Sequence, residues 1–191
     1  FDKMIVTPGK DIPADRAGKF AAGLIVSYRR DNCPVVVDMG GGYGGSIYEQ
    51  LCANQVESIA YKGAEGSVRR TKDGQLRFKN RRTQALWQFR EALDPAQPGG
   101  SPIMLPRDPM LLSDLSTPTF WAENGVIEAE SKEDVCKRLG RSTDRGDATV
   151  MAWSAGPTYI TNGDEWAAAA APRKPFGKTP QVVMGRQNRR R

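Results

Sequence analysis

Residues 34–45 constrain the fold of this chain more than any other segment. Their sequence, PVVVDMGGGYGG, is a continuous apolar run that ends in Asp38 and is followed by glycines. A short apolar run of this kind is typical of a strand that is buried on both faces. Residues 46–53 have a helical pattern, and residues 56–61 form the next strand-like run. This strand-helix-strand unit predicts an α/β fold with neighbouring parallel strands.

Apolar periodicity and turn residues predict the remaining elements. We expect a strand-like run at 4–7, helices at 15–30, 83–93, 107–115, 132–139 and 143–153, a turn at 72–75, and a hairpin of 119–122 with 126–129. Gly140 ends the helix at 132–139, and Ser142 is a candidate N-cap for the last helix. A length of 191 residues fits one domain. We therefore expect a domain at 1–160 and a flexible tail at 161–191.

Charge is distributed unevenly along the chain. From Pro172 onward there are seven basic residues and no acidic one, which leaves 21 basic and 22 acidic residues in the rest. Such a basic, Pro- and Gly-containing terminus buries too little apolar surface to fold alone, so it predicts a disordered arm. An acidic surface or nucleic acid is the expected partner, and a merely solubilising tail is the alternative.

The residue types limit the possible chemistry. The chain has no histidine, which excludes Ser-His and Cys-His triads and imidazole acid-base catalysis. Its three cysteines, Cys33, Cys52 and Cys136, have no CxxC spacing, so we expect them to be buried small hydrophobic residues. No run of 18 apolar residues or signal-peptide pattern occurs, and a soluble intracellular protein is expected. Chemistry here must rest on carboxylates, lysines, hydroxyls or a metal bound through oxygen.

Asp38 lies where α/β folds place their ligand crevices, at the carboxyl end of a strand and before a glycine-rich turn. Gly40, Gly42 and Gly45 satisfy GxGxxG, which is weak evidence for a dinucleotide site, and no Lys-Ser/Thr follows to make a P-loop. The Asp38–Gly44 motif also resembles the first motif of S-adenosylmethionine-dependent methyltransferases. A metal ligand at a strand end and a tight structural turn are the other interpretations.

A second acidic site lies at the start of the last predicted helix. Asp144 and Asp147 are three residues apart, so both fall on one helix face and can share a divalent cation. Carboxylates in a first helical turn also stabilise the helix dipole, so a capping role stays open. If Asp38 and this pair converge, the oxygen-rich site suits Mg²⁺ or Mn²⁺ without histidine.

Residues 62–90 form a basic strip. They contain nine Lys or Arg residues but only two acidic ones, Glu65 and Asp73. A local excess of this size indicates a phosphate-binding surface, although a solvated hairpin and helix face would look similar.

Three segments together resemble a known family. These are Val35–Gly42 (VVVDMGGG) before a helix, Phe78–Arg82 (FKNRR) before a helix, and Lys132–Ala148 (KEDVCKRLGRSTDRGDA). Their order resembles the C-terminal nuclease domain of the large terminase subunit of tailed bacteriophages and prophages. The resemblance covers roughly residues 4–153.

The resemblance implies a ribonuclease H-like mixed central sheet flanked by helices, and an endonuclease that cuts concatemeric double-stranded DNA during genome packaging. Two Mg²⁺ or Mn²⁺ ions about 4 Å apart would clamp the scissile phosphate. Asp38 would be the middle carboxylate, and Asp147 or Asp144 would supply the carboxylate of the late helix. The expected DNA contacts are Lys79, Arg81, Arg82, Arg69, Arg70 and Arg141.

The same resemblance implies partners and one departure. The partners would be a terminase small subunit, a portal protein and an upstream ATPase domain, in the cytoplasm of the host bacterium, with no membrane. The family's first carboxylate is expected upstream of Phe1, and Asp2 is the nearest substitute. A non-catalytic DNA-binding or assembly module is therefore an alternative, as is the methyltransferase-like domain.

Overall fold

The computed structural model describes residues 1, 4–29, 33–40, 42 and 44–156. Within these residues the helices are α1 Ala17–Tyr28, α2 Gly44–Ala53, α3 Arg81–Leu93, α4 Pro109–Ser116, α5 Lys132–Leu139 and α6 Asp144–Ser154. The strands are β1 Val35–Asp38, β2 Ser58–Tyr61, β3 Arg77–Phe78, β4 Phe120–Glu123 and β5 Val126–Ala129. Two short 3₁₀ turns, Gly9–Asp11 and Ala14–Arg16, precede α1.

The strands form two small sheets in the described part of the chain. Strands β1 and β2 are parallel, with Asp38 opposite Tyr61 in the register. In the other sheet, the central strand β5 pairs parallel with β3 and antiparallel with β4. The α/β class and the parallel strand-helix-strand unit are thus as predicted, but among the described residues β1 has only β2 beside it.

Strand β1 separates two apolar clusters because its side chains alternate between the faces of the sheet. Val35 and Val37 pack with α1 and α2 in a cluster that includes Ala22 and Leu51. Val36 packs on the other face, against a cluster built from β2, α3, β5 and α6. The period of two therefore places Asp38 on the same face as Val36. Helix α6 contacts β1 directly.

The aromatic core lies in the second cluster. Phe89 of α3 is almost fully buried and makes an edge-to-face contact with Trp153 of α6, with ring centroids 5.6 Å apart. Trp87 makes a similar contact with Phe120 of β4 at 5.4 Å. These contacts fix α3 against α6 and the hairpin, so the first turns of both helices keep a defined position beside the end of β1.

Most predicted helices and strands are present, with several differences. Residues 4–7 form no strand. Thr143, rather than Ser142, is the N-cap residue of α6, and neither side chain caps a helix amide, because the Ser142 hydroxyl donates to Asp144 and the Thr143 hydroxyl to Asp147. Cys33 and Cys52 are exposed and Cys136 is half-buried, so the expectation of buried cysteines was wrong. Residues 157–191, which include the predicted tail, lie outside the described residues, as does Asp2.

Candidate functional site

Asp38 ends β1 and faces the side of the sheet that carries α6. Its side chain is exposed, and its Oδ1 accepts a hydrogen bond of 2.9 Å from the Gly40 backbone N–H. One carboxylate oxygen is thereby oriented by the turn, while Oδ2 accepts no hydrogen bond from the described residues. Asp38 is thus a partly fixed carboxylate at the carboxyl end of a parallel strand.

Close packing between the end of β1 and the start of α2 explains Gly44. A Cβ at Gly44 would lie 2.0 Å from the Asp38 carbonyl oxygen, so α2 begins in direct contact with the end of β1. Only a residue without a side chain permits that approach. This accounts for Gly44 without a phosphate or a nucleotide in the loop.

The two carboxylates of α6 have different environments. The side chain of Asp144 is 76% exposed, whereas that of Asp147 is 18% exposed. Asp147 Oδ2 accepts from the Thr143 hydroxyl at 2.9 Å and lies 2.8 Å from Lys132 Nζ. Asp144 Oδ1 is 3.4 Å from the same ammonium. Asp147 is therefore the more enclosed and better oriented of the pair.

Lys132 joins these carboxylates from the start of α5. Burial alone would lower its pKa, but hydrogen bonding and charge attraction from Asp147, with a smaller contribution from Asp144, raise it. The ammonium is thus held in its charged form. Sequence reasoning gave Lys132 no role of its own, because its partners lie 12 and 15 positions further along the chain.

Tyr61 lies near both acidic segments and was also missed. Burial raises the pKa of its phenol to about 12, the charges of Arg81 and Arg82 oppose the rise, and those of Asp147 and Asp38 add to it. Asp38 lies opposite Tyr61 in the parallel register, and α6, which bears Asp147, contacts β1. Asp38 and the start of α6, which are more than 100 residues apart, are brought to the same end of the sheet.

The donor set fits a hard cation only in part. Carboxylate oxygens suit Mg²⁺ or Mn²⁺, and Mg²⁺ is commonly held by one or two carboxylates together with water and substrate phosphates. Among the described residues, however, no three Asp, Glu or Cys side chains come together in a group that could hold a metal ion. A cation bound by the described residues would therefore have at most two of these side chains as ligands, with its remaining positions left to water and phosphate.

Four of the predicted DNA-contacting residues already have partners in the protein. Lys79 pairs with Glu128, and Arg81 pairs with Glu65 at 3.2 Å and stacks over the Tyr61 ring. Arg82 Nη1 donates to the Glu130 carbonyl at 2.6 Å, and its Nε is buried without a hydrogen-bond partner among the described residues. Arg141 pairs with the buried carboxylate of Asp114.

The other two, Arg69 and Arg70, lie on an exposed segment that we call the basic hairpin, residues 66–80, within which Arg70 Nη1 donates to the Gly74 carbonyl at 3.2 Å. Antiparallel bridges join Gly66 to Asn80 and Arg70 to Arg77. The hairpin holds five basic residues, Arg69, Arg70, Lys72, Arg77 and Lys79, and one acidic residue, Asp73. The Asp73 carboxylate accepts bonds within the turn that lower its pKa.

The fold matches three solved structures of one viral protein. The nuclease domain of the large terminase subunit of bacterial virus Sf6 matches with a TM-score of 0.54 and 19% identity, over 76% of this chain and 74% of that one. A lysine-to-alanine variant of it with manganese and beta-thujaplicinol matches at 0.53 and 18%, over 74% and 72%. A variant with calcium matches at 0.51 and 20%, over 71% and 70%.

These matches confirm the predicted fold class and the sequence resemblance at the level of the fold. No family model matches the chain, and no curated protein matches it. In the part of the chain that the structure describes, no helix is both long and apolar enough to span a bilayer.

Proposed function

We propose that this chain is a metal-dependent endonuclease that cleaves double-stranded viral DNA during genome packaging. The observation that carries the proposal is that α6, which bears Asp147, contacts β1, which ends in Asp38, with Tyr61 opposite Asp38 in the parallel register. The fold shared with a terminase nuclease domain supports it. In that setting two carboxylates have a simple use, which is to hold Mg²⁺ or Mn²⁺ against a scissile phosphate.

Each carboxylate has a separate part. Asp38 offers an exposed oxygen on a rigid strand end, and Asp147 offers a half-enclosed one on the first turn of α6. Asp144, which is mostly exposed, would act through the outer water shell or as the partner that draws Lys132 away. A bound divalent cation would supply the Lewis acidity that activates water and stabilises the leaving oxygen. The second cation of a two-metal site would need a further ligand.

The role of Lys132 follows from its position between the two carboxylates of α6. Its ammonium neutralises Asp147 when no divalent cation is present, so the two carboxylates of α6 are not left as uncompensated charge. A divalent cation bound by Asp147 would compete with the ammonium for the same carboxylate charge. The flexible stem of Lys132 would then let the ammonium turn toward a phosphate oxygen.

Duplex DNA would lie across the basic hairpin and the first turn of α3. Arg69 and Arg77 are exposed, and no ion pair with a described carboxylate is recorded for either. We therefore assign the phosphate contacts mainly to the hairpin, with Lys79 and Arg81 able to exchange their exposed partners for phosphate. Arg82 and Arg141, whose guanidiniums are bound more deeply, would support the surface. Binding of this kind is salt-dependent and largely independent of sequence.

The broader setting follows from the same proposal. A packaging nuclease would work in the cytoplasm of the infected bacterium with an ATPase domain, a small terminase subunit and a portal protein. A non-catalytic DNA-binding module is the second candidate, because the described residues include no group of three carboxylates that could hold a metal ion. The shared fold gives no support to the methyltransferase alternative, and packing explains Gly44.

The test is cleavage of supercoiled plasmid by the 191-residue chain in Mn²⁺, Mg²⁺ or EDTA. We expect nicking and linearisation that require a metal and disappear in Asp38→Asn and in the double variant Asp144→Asn/Asp147→Asn. DNA binding that survives EDTA, with no cleavage in any metal, would instead favour the non-catalytic module. Undiminished cleavage by Asp38→Asn would refute the site.

A further inference from the structure

Helix α4 contacts the start of α6 through a buried carboxylate. The side chain of Asp114 is 0% exposed, its Oδ1 pairs with Arg141 Nη1, and its Oδ2 accepts from the Gly146 backbone N–H at 3.0 Å. A buried carboxylate is costly unless it is paired and hydrogen-bonded, and removal of one partner leaves an uncompensated charge. Both oxygens of Asp114 are therefore committed to the segment that leads into α6.

The two helices are also unusually close at this point. A Cβ at Gly146 would lie 2.7 Å from the Asp114 Cβ, which is inside any normal contact distance. Arg141 adds hydrogen bonds to the Ser142 carbonyl at 3.0 Å and the Met110 carbonyl at 3.1 Å. Residues 141–146 are thus held against α4 at both ends.

These contacts converge on Asp147. Thr143, which is buried, lies between the two held points and donates its hydroxyl to Asp147 Oδ2 at 2.9 Å. The Asp147 backbone N–H donates to the Thr143 carbonyl at 2.9 Å. The orientation of the Asp147 carboxylate therefore depends on the backbone that Asp114 and Arg141 fix.

We propose that Asp114, acting with Arg141, is a positioning residue for Asp147. The inference rests on the proposed function, because it assumes that Asp147 binds the cation. Asp114 itself is fully buried, so it would contact neither a bound cation nor DNA. Residues that support metal ligands contribute about 10- to 100-fold to metal affinity, because they hold the ligand in the geometry that the cation requires.

The test measures Mn²⁺ binding without DNA, from the electron paramagnetic resonance of free Mn²⁺, for the parent chain, Asp114→Asn and Arg141→Lys. We expect Asp114→Asn to raise the Mn²⁺ dissociation constant by about tenfold or more. Arg141→Lys keeps the charge but loses the guanidinium that bonds both Asp114 and the Met110 carbonyl, so we expect a smaller loss of Mn²⁺ affinity. Arg138→Gln is the control, because its ion pair with Glu130 does not touch α6.

A second readout separates positioning from stability. In plasmid cleavage, Asp114→Asn should raise the Mn²⁺ concentration for half-maximal rate and recover most of the parent rate at saturating Mn²⁺. A residue that only stabilises the fold would lower Tm and leave the dissociation constant unchanged.

Parent-like Mn²⁺ affinity in folded Asp114→Asn would overturn the inference while leaving the proposed function intact. If Asp114→Asn does not fold, parent-like affinity in Arg141→Lys would overturn it instead. A parent chain that binds no Mn²⁺ would contradict the proposed function and the inference with it.

Discussion

The ammonium of Lys132 lies between the two carboxylates of α6, 2.8 Å from Asp147 Oδ2 and 3.4 Å from Asp144 Oδ1. Asp147 Oδ2 is thus already paired with a positive charge. Lysine and metal are therefore competitors for one carboxylate, and the strength of metal binding should depend on the lysine.

We predict that Lys132→Met tightens Mn²⁺ binding. A partly exposed ion pair is worth up to about 1 kcal/mol, so the affinity should rise by up to about fivefold. Calorimetric titration of parent and variant with Mn²⁺ measures the change. Lys137→Met is the matched control. Lys137 likewise pairs with an aspartate, but this is Asp134 of its own helix α5, and it contacts neither carboxylate of α6. Weaker Mn²⁺ binding in Lys132→Met would mean that the lysine supports the metal site instead of competing with it.

The phenol of Tyr61 should report on both carboxylates. Its pKa is raised to about 12, first by burial and then by the charges of Asp147 and Asp38. We expect Asp38→Asn and Asp147→Asn each to lower this pKa, as followed by ultraviolet difference titration against Tyr61→Phe. Asp134→Asn, on the exposed side of α5, should leave it unchanged. An unchanged Tyr61 titration in both site variants would show that the carboxylates do not face this phenol.

The same shift gives a pH dependence of stability. The folded state favours the neutral phenol, so the contribution of Tyr61 is complete below the ordinary tyrosine pKa of 10.0 and is lost as the pH rises toward about 12. Urea unfolding from pH 9 to 12 should therefore show a smaller alkaline loss of stability for Tyr61→Phe than for the parent chain. Equal losses would contradict the assignment.

The basic hairpin should account for part of the salt dependence of DNA binding. If Arg69 and Arg77 each contact one phosphate, the double variant Arg69→Gln/Arg77→Gln should reduce the slope of log K against log salt by about 2. Anisotropy of a labelled duplex in EDTA measures the slope. The control is Lys10→Gln/Lys19→Gln, which removes two exposed lysines from the N-terminal segment and α1. An equal reduction in the control would mean that only the overall charge matters.

Gly44 and Gly45 offer a matched test of the packing at the end of β1. A Cβ at Gly44 would lie 2.0 Å from the Asp38 carbonyl, whereas a Cβ at Gly45 meets nothing within 4 Å. Gly44→Ala should reduce the free energy of unfolding by about 3 kcal/mol, the upper end for overpacking. Gly45→Ala should be neutral or stabilise α2 by up to about 1 kcal/mol. Equal stabilities in urea titration would refute this explanation of the glycine turn.

The sequence was sufficient to predict the elements that carry the site. The apolar run before Asp38 and the spacing of the Asp pair are local patterns, and both segments are present as β1 and α6. Helix α5 also runs from Lys132 to Leu139 with Gly140 after it, as expected from its periodicity and its following glycine.

The relationships between distant segments could not be predicted. Tyr61 belongs to the site because of its register with Asp38 across two parallel strands, and a single strand does not encode its register. Arg141 looks like a free basic residue in the sequence, yet it pairs with Asp114, which is 27 positions earlier. The cysteines were misplaced because small apolar character says nothing about which helix face a residue occupies.

The most direct test of the account compares single-turnover plasmid cleavage in Mn²⁺ by the parent chain, Asp38→Asn, Asp147→Asn and the double variant. Two carboxylates that hold one cation act as a unit, so each single variant should lose about 100-fold or more in rate and the double variant little beyond that. Losses that multiply in the double variant, or a parent-like rate in either single variant, would contradict a shared metal site at the end of β1.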